Sequence, residues 1–188
     1  MQRQTTLRII GGKWRGRRIK VANQGGLRPS TDFVRETLFN WLTPVVDGAV
    51  CLDLFAGSGA LGFEALSRGA KKVVMLDRSR KVVEMLKSNA ESLKIDNAEI
   101  FCRTFSSNLK LPTENKFNLV FLDPPFRKNM ITDACFWLEE NNLLQNRSYI
   151  YLEAESELLS PNIPDNWECV RSKIAGQVAY SLWMRRPA

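Results

Sequence analysis

Apolar residues along this chain recur in short runs, each closed by a polar or glycine-rich break. Residues 50–55, 72–76, 98–102, 118–122 and 148–153 are rich in Val, Ile, Leu and Phe. Such short, nearly continuous runs predict strands buried on both faces. Between them, residues 60–68, 80–93 and 128–141 carry apolar positions at helical spacing. Strand and helix therefore alternate, which predicts a parallel sheet with helices on both faces. Ahead of this core, Gly25, Gly26 and Pro29 form a break, and Ser30, Thr31 and Asp32 offer cap residues for a helix over 33–42. Val34, Leu38, Trp41 and Leu42 share one face of that helix, and Arg35 and Glu36 are expected at the surface or at the edge of a site. The ends of the chain read differently. Runs at 7–10 and 18–21, around Gly11, Gly12 and Gly16, predict an N-terminal hairpin. Runs at 167–174 and 178–185, around Ala175, Gly176 and Gln177, predict a C-terminal one.

Composition narrows the picture. With 188 residues, 44% hydrophobic and 25% charged, the chain is expected to form one globular domain with a real core. No run approaches the roughly 18 apolar residues a membrane span needs. The start, MQRQTTLRII, has no signal-peptide core. A cytoplasmic protein without a membrane partner is expected, with a monomer as the default state. The four cysteines, Cys51, Cys102, Cys135 and Cys169, show no C-x-x-C spacing, and histidine is absent, so no metal site is expected. Cys51 and Cys102 fall in apolar runs and are expected to act as small hydrophobes. The lack of histidine also removes the usual general base and any Ser-His-Asp triad.

Charge separates one segment from the rest. The chain nets +7, yet residues 1–31 hold eight basic side chains and no acid. The first 28 residues thus read as a basic hairpin extension. Within it Lys13, Arg15, Arg17 and Arg18 surround Trp14. Cations interleaved with an aromatic ring suit phosphate contact and base stacking, so this hairpin is expected to touch nucleic acid. The plainer alternative is a solvated basic hairpin.

Two stretches carry candidate chemistry. Residues 50–62, VCLDLFAGSGALG, place Gly57, Gly59 and Gly62 in a G-x-G-x-x-G spacing between a strand and a helix. Such a turn lets a ligand lie against the backbone and offers it the N–H groups of the helix start. Asp77 ends the next apolar run about twenty residues on, where an acid can hold ribose hydroxyls. The spacing alone also fits a nicotinamide dinucleotide, or a tight turn with Asp77 merely solvated. Residues 117–126, FNLVFLDPPF, end a later strand in Asp123, Pro124, Pro125 and Phe126. The prolines fix φ and donate no N–H, so the loop is stiff and presents a carboxylate, carbonyls and a ring in fixed relation.

Together these stretches resemble the class I methyltransferases that use S-adenosyl-L-methionine, in the branch that methylates exocyclic or amide nitrogens. The resemblance extends further, to the RsmD family, which methylates N2 of a guanine in 16S ribosomal RNA of the small subunit. Its marks are RIIGGKWRGR at 8–17, LRPSTDFVRETLFNWL at 27–42, DLFAGSGALGFEALSRGA at 53–70, LDPPF at 122–126 and AGQVAY at 175–180. The resemblance implies a Rossmann-like, seven-stranded, mostly parallel sheet ending in an antiparallel hairpin. It implies that Asp53 and the backbone of Ala56, Gly57, Ser58 and Gly59 contact the methionine end of the cofactor. Asp77 would accept the ribose hydroxyls, Arg78 would flank the adenine, and Thr104 and Phe105 would lie beside it. Many class I enzymes have Asp or Asn where Thr104 stands. Asp123, the Pro124 carbonyl and Phe126 would grip the target base, with 16S rRNA or the small subunit as partner. Competing expectations are an adenine-N6 nucleic-acid methyltransferase, a protein glutamine methyltransferase, a nicotinamide oxidoreductase, and a non-catalytic RNA-binding assembly factor.

Overall fold

A computed structural model describes residues 5–22, 31–125, 130–156 and 161–187. The chain divides into two compact units, Met1–Thr104 and Phe105–Ala188.

In the first unit, β1 (Thr6–Arg8) pairs antiparallel with β2 (Arg18–Lys20), Thr6 facing Lys20. The predicted hairpin is there, with shorter strands. The break at Gly25, Gly26 and Pro29 lies outside the described residues. Helix α1 (Asp32–Leu42) starts where Thr31 accepts the Val34 N–H on its side-chain oxygen. Strands β3 (Val50–Asp53), β4 (Lys72–Asp77) and β5 (Ala98–Cys102) run parallel in the order β5-β4-β3. The connections carry α2 (Ala60–Ser67) and α3 (Arg80–Leu93). Val73, Val74 and Met75 of β4 are wholly buried, as expected of a parallel strand covered on both faces. Every residue of α2 is buried, so this helix lies inside the unit rather than on its surface.

The second unit holds β6 (Phe117–Leu122), α4 (Met130–Glu140), β7 (Leu144–Glu155), β8 (Trp167–Ala175) and β9 (Val178–Arg185). β6 and β7 are parallel, β7 and β9 antiparallel, and β8 and β9 form the terminal hairpin. Glu139 of α4 clamps this hairpin. Its carboxylate accepts from Arg185 Nε at 2.8 Å and Nη2 at 3.0 Å, from Trp167 Nε1 at 2.6 Å and from Asn166 Nδ2 at 3.1 Å. Burial alone would push the Glu139 carboxyl up, but these donors hold it below its ordinary value. The seven strands other than β1 and β2 form a mixed, mostly parallel sheet with a C-terminal antiparallel hairpin, as the resemblance implies.

Three expectations change. β7 begins four residues before the expected run, where Leu144 pairs with Phe117 of β6, and ends two after it, where its antiparallel partner β9 supports it from Tyr149 to Glu155. Cys102 is exposed, since it closes β5 at the sheet end. Arg35 is not a surface residue: it is 1% exposed, and its guanidinium donates to the Arg8 carbonyl at 3.0 Å and to Asp32 at 2.7 Å. No helix among the described residues is long and apolar enough to cross a membrane.

Candidate active site

In the first unit the chemistry-bearing residues gather at the carboxyl ends of β3 and β4. Asp53, the last residue of β3, is 2% exposed. Its Oδ2 accepts the Gly62 N–H at 3.1 Å, which ties the strand end to the first turn of α2. Burial pushes its pKa up to about 7; the Gly62 N–H opposes this, and the charge of Asp77 adds to it.

The turn between β3 and α2 is fixed by its own backbone. The Ala56 N–H donates to the Leu76 carbonyl at 2.8 Å, and the Gly59 N–H to the Ala56 carbonyl at 2.7 Å. Gly59 caps α2 with φ +76, where a Cβ would come within 2.5 Å of Leu86 and 2.7 Å of Phe63. Only glycine serves there. Ser58 is buried, and its Oγ accepts the Ala60 N–H at 3.3 Å. Asp77, ending β4, binds the Gly57 N–H through Oδ2 at 3.0 Å and the Ser79 N–H through Oδ1 at 2.8 Å. The structure thus brings together Asp53, Ala56, Gly57, Ser58, Gly59 and Asp77. Arg78 is exposed beside Asp77, and its carbonyl accepts from the Cys102 thiol at 3.6 Å. The Arg103 N–H donates to the Asp77 carbonyl at 2.9 Å, which sets exposed Thr104 one residue beyond the end of that ladder.

In the second unit Phe105 meets Trp137 of α4 edge to face, ring centroids 5.5 Å apart. Asp123 is half-buried just after β6, Pro124 is buried and Pro125 exposed. Phe126 lies outside the described residues. Asp123 has acidic and phenolic company. Register places Leu122 opposite Leu152, and the next residue, Glu153, is buried and accepts the Tyr151 hydroxyl at 2.8 Å. Burial holds the Tyr151 phenol well above its ordinary value, with the charges of Glu153 and Asp123 adding to the effect.

The predicted hairpin residues are solvent-facing. Lys13, Arg15, Arg17 and Arg18 are exposed, and Trp14 is half-buried with Lys13 Nζ 5.1 Å from its ring centre. Sequence reasoning missed the residues beneath them, Glu64, Ser67 and Asn89, all buried. A signal existed for the first: Glu64 is the lone charge in the apolar run ALGFEALS.

Sequence comparison decides the family. The family described as Conserved hypothetical protein 95 matches residues 7–184. Ribosomal RNA small subunit methyltransferase D of Escherichia coli K12 is 48% identical over 179 residues, covering 95% of this chain and 90% of that protein. The chain belongs to the RsmD family. The Haemophilus influenzae protein of the same name is 47% identical over 181 residues, covering 94% of this chain and 93% of its own length. Among solved structures, the Escherichia coli protein yhhF superposes with a TM-score of 0.89 at 45% identity, covering 97% of this chain and 99% of that one. SMU.776, crystallised with SAH, has a TM-score of 0.72 at 13% identity and covers 98% of this chain and 56% of that one. At that identity it speaks for the fold alone, and the fold is the one this RsmD-family chain adopts.

Proposed function

We propose that the chain transfers a methyl group from S-adenosyl-L-methionine to the exocyclic N2 of a guanine in 16S rRNA of the small ribosomal subunit. The observation that carries this reading is the 48% identity, over 95% of the chain, with a ribosomal RNA small subunit methyltransferase D. The carboxyl acceptors at the ends of β3 and β4 suit the cofactor. A glycine turn at a helix start lets a ligand lie close to backbone and offers its N–H groups to an anionic end such as a carboxylate, while the buried Asp53 beside it can accept from a cationic one.

When bound, S-adenosyl-L-methionine supplies a methyl group already activated on a sulfonium. The chain's own residues then bind and align. Asp53 and the backbone of Ala56, Gly57, Ser58 and Gly59 hold the methionine end, and Asp77 accepts the ribose hydroxyls. Arg78, Thr104 and Phe105 flank the adenine. A guanine amine is a poor nucleophile, because its lone pair is delocalised into the ring. Asp123 and the Pro124 carbonyl accept its N–H groups, orient the lone pair and stabilise the positive charge that develops on nitrogen. Pro125 keeps that loop stiff. Lys13, Trp14, Arg15, Arg17 and Arg18 hold the RNA by phosphate contact and stacking.

The test is methyl transfer from labelled S-adenosyl-L-methionine to small subunits, and to their free RNA, from a strain lacking the protein. The labelled RNA is digested to nucleosides and the modified position mapped. The expected product is N2-methylguanosine at one position of 16S rRNA. Label on adenine N6 would replace this reading with the adenine-N6 enzyme. RNA binding with neither label nor cofactor binding would replace it with an assembly factor.

A further inference from the structure

Helix α2 carries one acid, Glu64, and the fold buries it completely. Nothing in the proposed chemistry uses it. Its Oε1 accepts the Gly11 N–H at 2.8 Å and Arg68 Nε at 2.7 Å. Its Oε2 accepts the Ile10 N–H at 2.8 Å and stands 3.9 Å from Arg35 Nη1. One turn on, the Ser67 hydroxyl accepts the Trp14 N–H at 2.9 Å and donates to the Gly11 carbonyl. The Ser67 carbonyl accepts the Lys13 N–H at 2.7 Å. Gly12 sits at φ +74, and a Cβ there would fall 1.8 Å from the Ser67 carbonyl oxygen. The loop backbone therefore lies directly on the C-terminal half of α2, and Gly11-Gly12 is what lets it do so.

This loop has little structure of its own. β1 and β2 are three residues each, and an isolated hairpin is marginal even when longer. Its exposed surface is cationic, and like charges oppose a single fixed conformation. A carboxyl group beneath it supplies hydrogen-bond acceptors that the segment itself lacks. The N–H groups that Glu64 and Ser67 accept come from four of the five residues 10–14 of the loop, Ile10, Gly11, Lys13 and Trp14. The same helix is capped by Gly59, so one element frames both the glycine turn and the loop.

We infer that Glu64 is a positioning residue for RNA. It never touches the nucleic acid, but it fixes the backbone from which Lys13, Trp14, Arg15 and Arg17 reach out. The RNA then meets a preformed surface and does not have to order it on binding. This inference rests on the proposed RNA contact of the hairpin and adds to it the group that presents the hairpin.

The test is Glu64→Gln, which keeps the shape but turns an amide NH2 toward a backbone or guanidinium donor. RNA affinity, cofactor affinity and kcat at saturating small-subunit RNA are measured on the same full-length protein. Loss of charge-assisted hydrogen bonds is expected to weaken RNA binding roughly tenfold, with kcat and the cofactor Kd within about twofold of the parent. A folded Glu64→Gln protein with unchanged RNA affinity would overturn the inference. So would a loss shared equally by RNA affinity, cofactor affinity and kcat, which would mark a purely structural role. If Glu64→Gln fails to fold, Ser67→Ala serves instead and must show the same split, with a smaller rise in the RNA Kd. Replacing Arg15, Arg17 and Arg18 together by Gln separates the two levels. A weakened triple variant beside an unaffected Glu64→Gln and Ser67→Ala removes the anchor and keeps the RNA contact. An unaffected triple variant removes both.

Discussion

The two units set their candidate carboxylates in different surroundings. In the first, Asp53 and Asp77 are locked by backbone donors: Gly62 on one, Gly57 and Ser79 on the other. Each acid is part of the turn it helps to shape. In the second, Asp123 is half-buried on a proline-stiffened loop, and its neighbours are other acids and phenols, Glu153 and Tyr151. The difference suits the two jobs proposed. A cofactor site used in every turnover can be built into the fold. A base-gripping loop must hold its carbonyl and carboxylate in a fixed relation, and Pro124 and Pro125 supply that stiffness through the backbone.

Substitutions can break this division of labour one side at a time. The largest effect belongs to Asp123→Ala, which removes the acceptor for the amine. Turnover on small-subunit RNA should fall by about a hundredfold to a thousandfold or more, read as single-turnover methyl transfer. Next comes Asp77→Ala, which loses the proposed ribose acceptor and frees the Gly57 and Ser79 N–H groups. Cofactor affinity should drop roughly tenfold to a hundredfold by calorimetric titration, with RNA affinity held. Neutralising Arg15, Arg17 and Arg18 should weaken RNA binding at low salt and lower the slope of log K against log salt by up to about three. A full slope in that variant would make the hairpin a bystander.

Two smaller effects sharpen the comparison. The carboxyl of Asp53 is raised from 3.8 to about 7, burial being the main cause. Its contribution to the stability of the free protein is therefore full below about pH 3.8 and is lost as pH rises through about 7, since the fold disfavours the ionised form. A cationic ligand reverses that preference, so cofactor binding near pH 7 should release a fraction of a proton. Calorimetry in two buffers of different ionisation enthalpy reads this release, and Asp53→Asn should abolish it. In the second unit, Glu139→Ala breaks the clamp between α4 and the terminal hairpin. The expected cost is about 2 kcal/mol in a denaturant titration, with the cofactor Kd unchanged.

How much of this the sequence disclosed depends on the range of the interactions. Alternating apolar runs placed α3 and β5 to the residue and the other core elements within a few, because strand burial and helical spacing are local signals. Gly59 and Gly62 marked the turn, since a left-handed cap and a close approach both demand glycine. Arg35 was misjudged because its burial rests on Arg8 and Glu64, which no local pattern joins to it. The anchoring of the hairpin was hidden for the same reason, its hydrogen bonds spanning more than fifty positions from Ile10 and Gly11 to Glu64. The far end of β7 depends on pairing with β9 and left no mark in the spacing of its own residues. The spacing around Asp53 gave its place but not its protonation, which comes from burial among residues distant in the chain.

The cofactor dissociation constant of Asp123→Ala, measured beside that of Asp77→Ala, tests the assignment of the two units most directly. The expected value lies within a few fold of the parent for the first and is markedly weaker for the second. Equal weakening in both would put Asp123 among the cofactor's own contacts and contradict it.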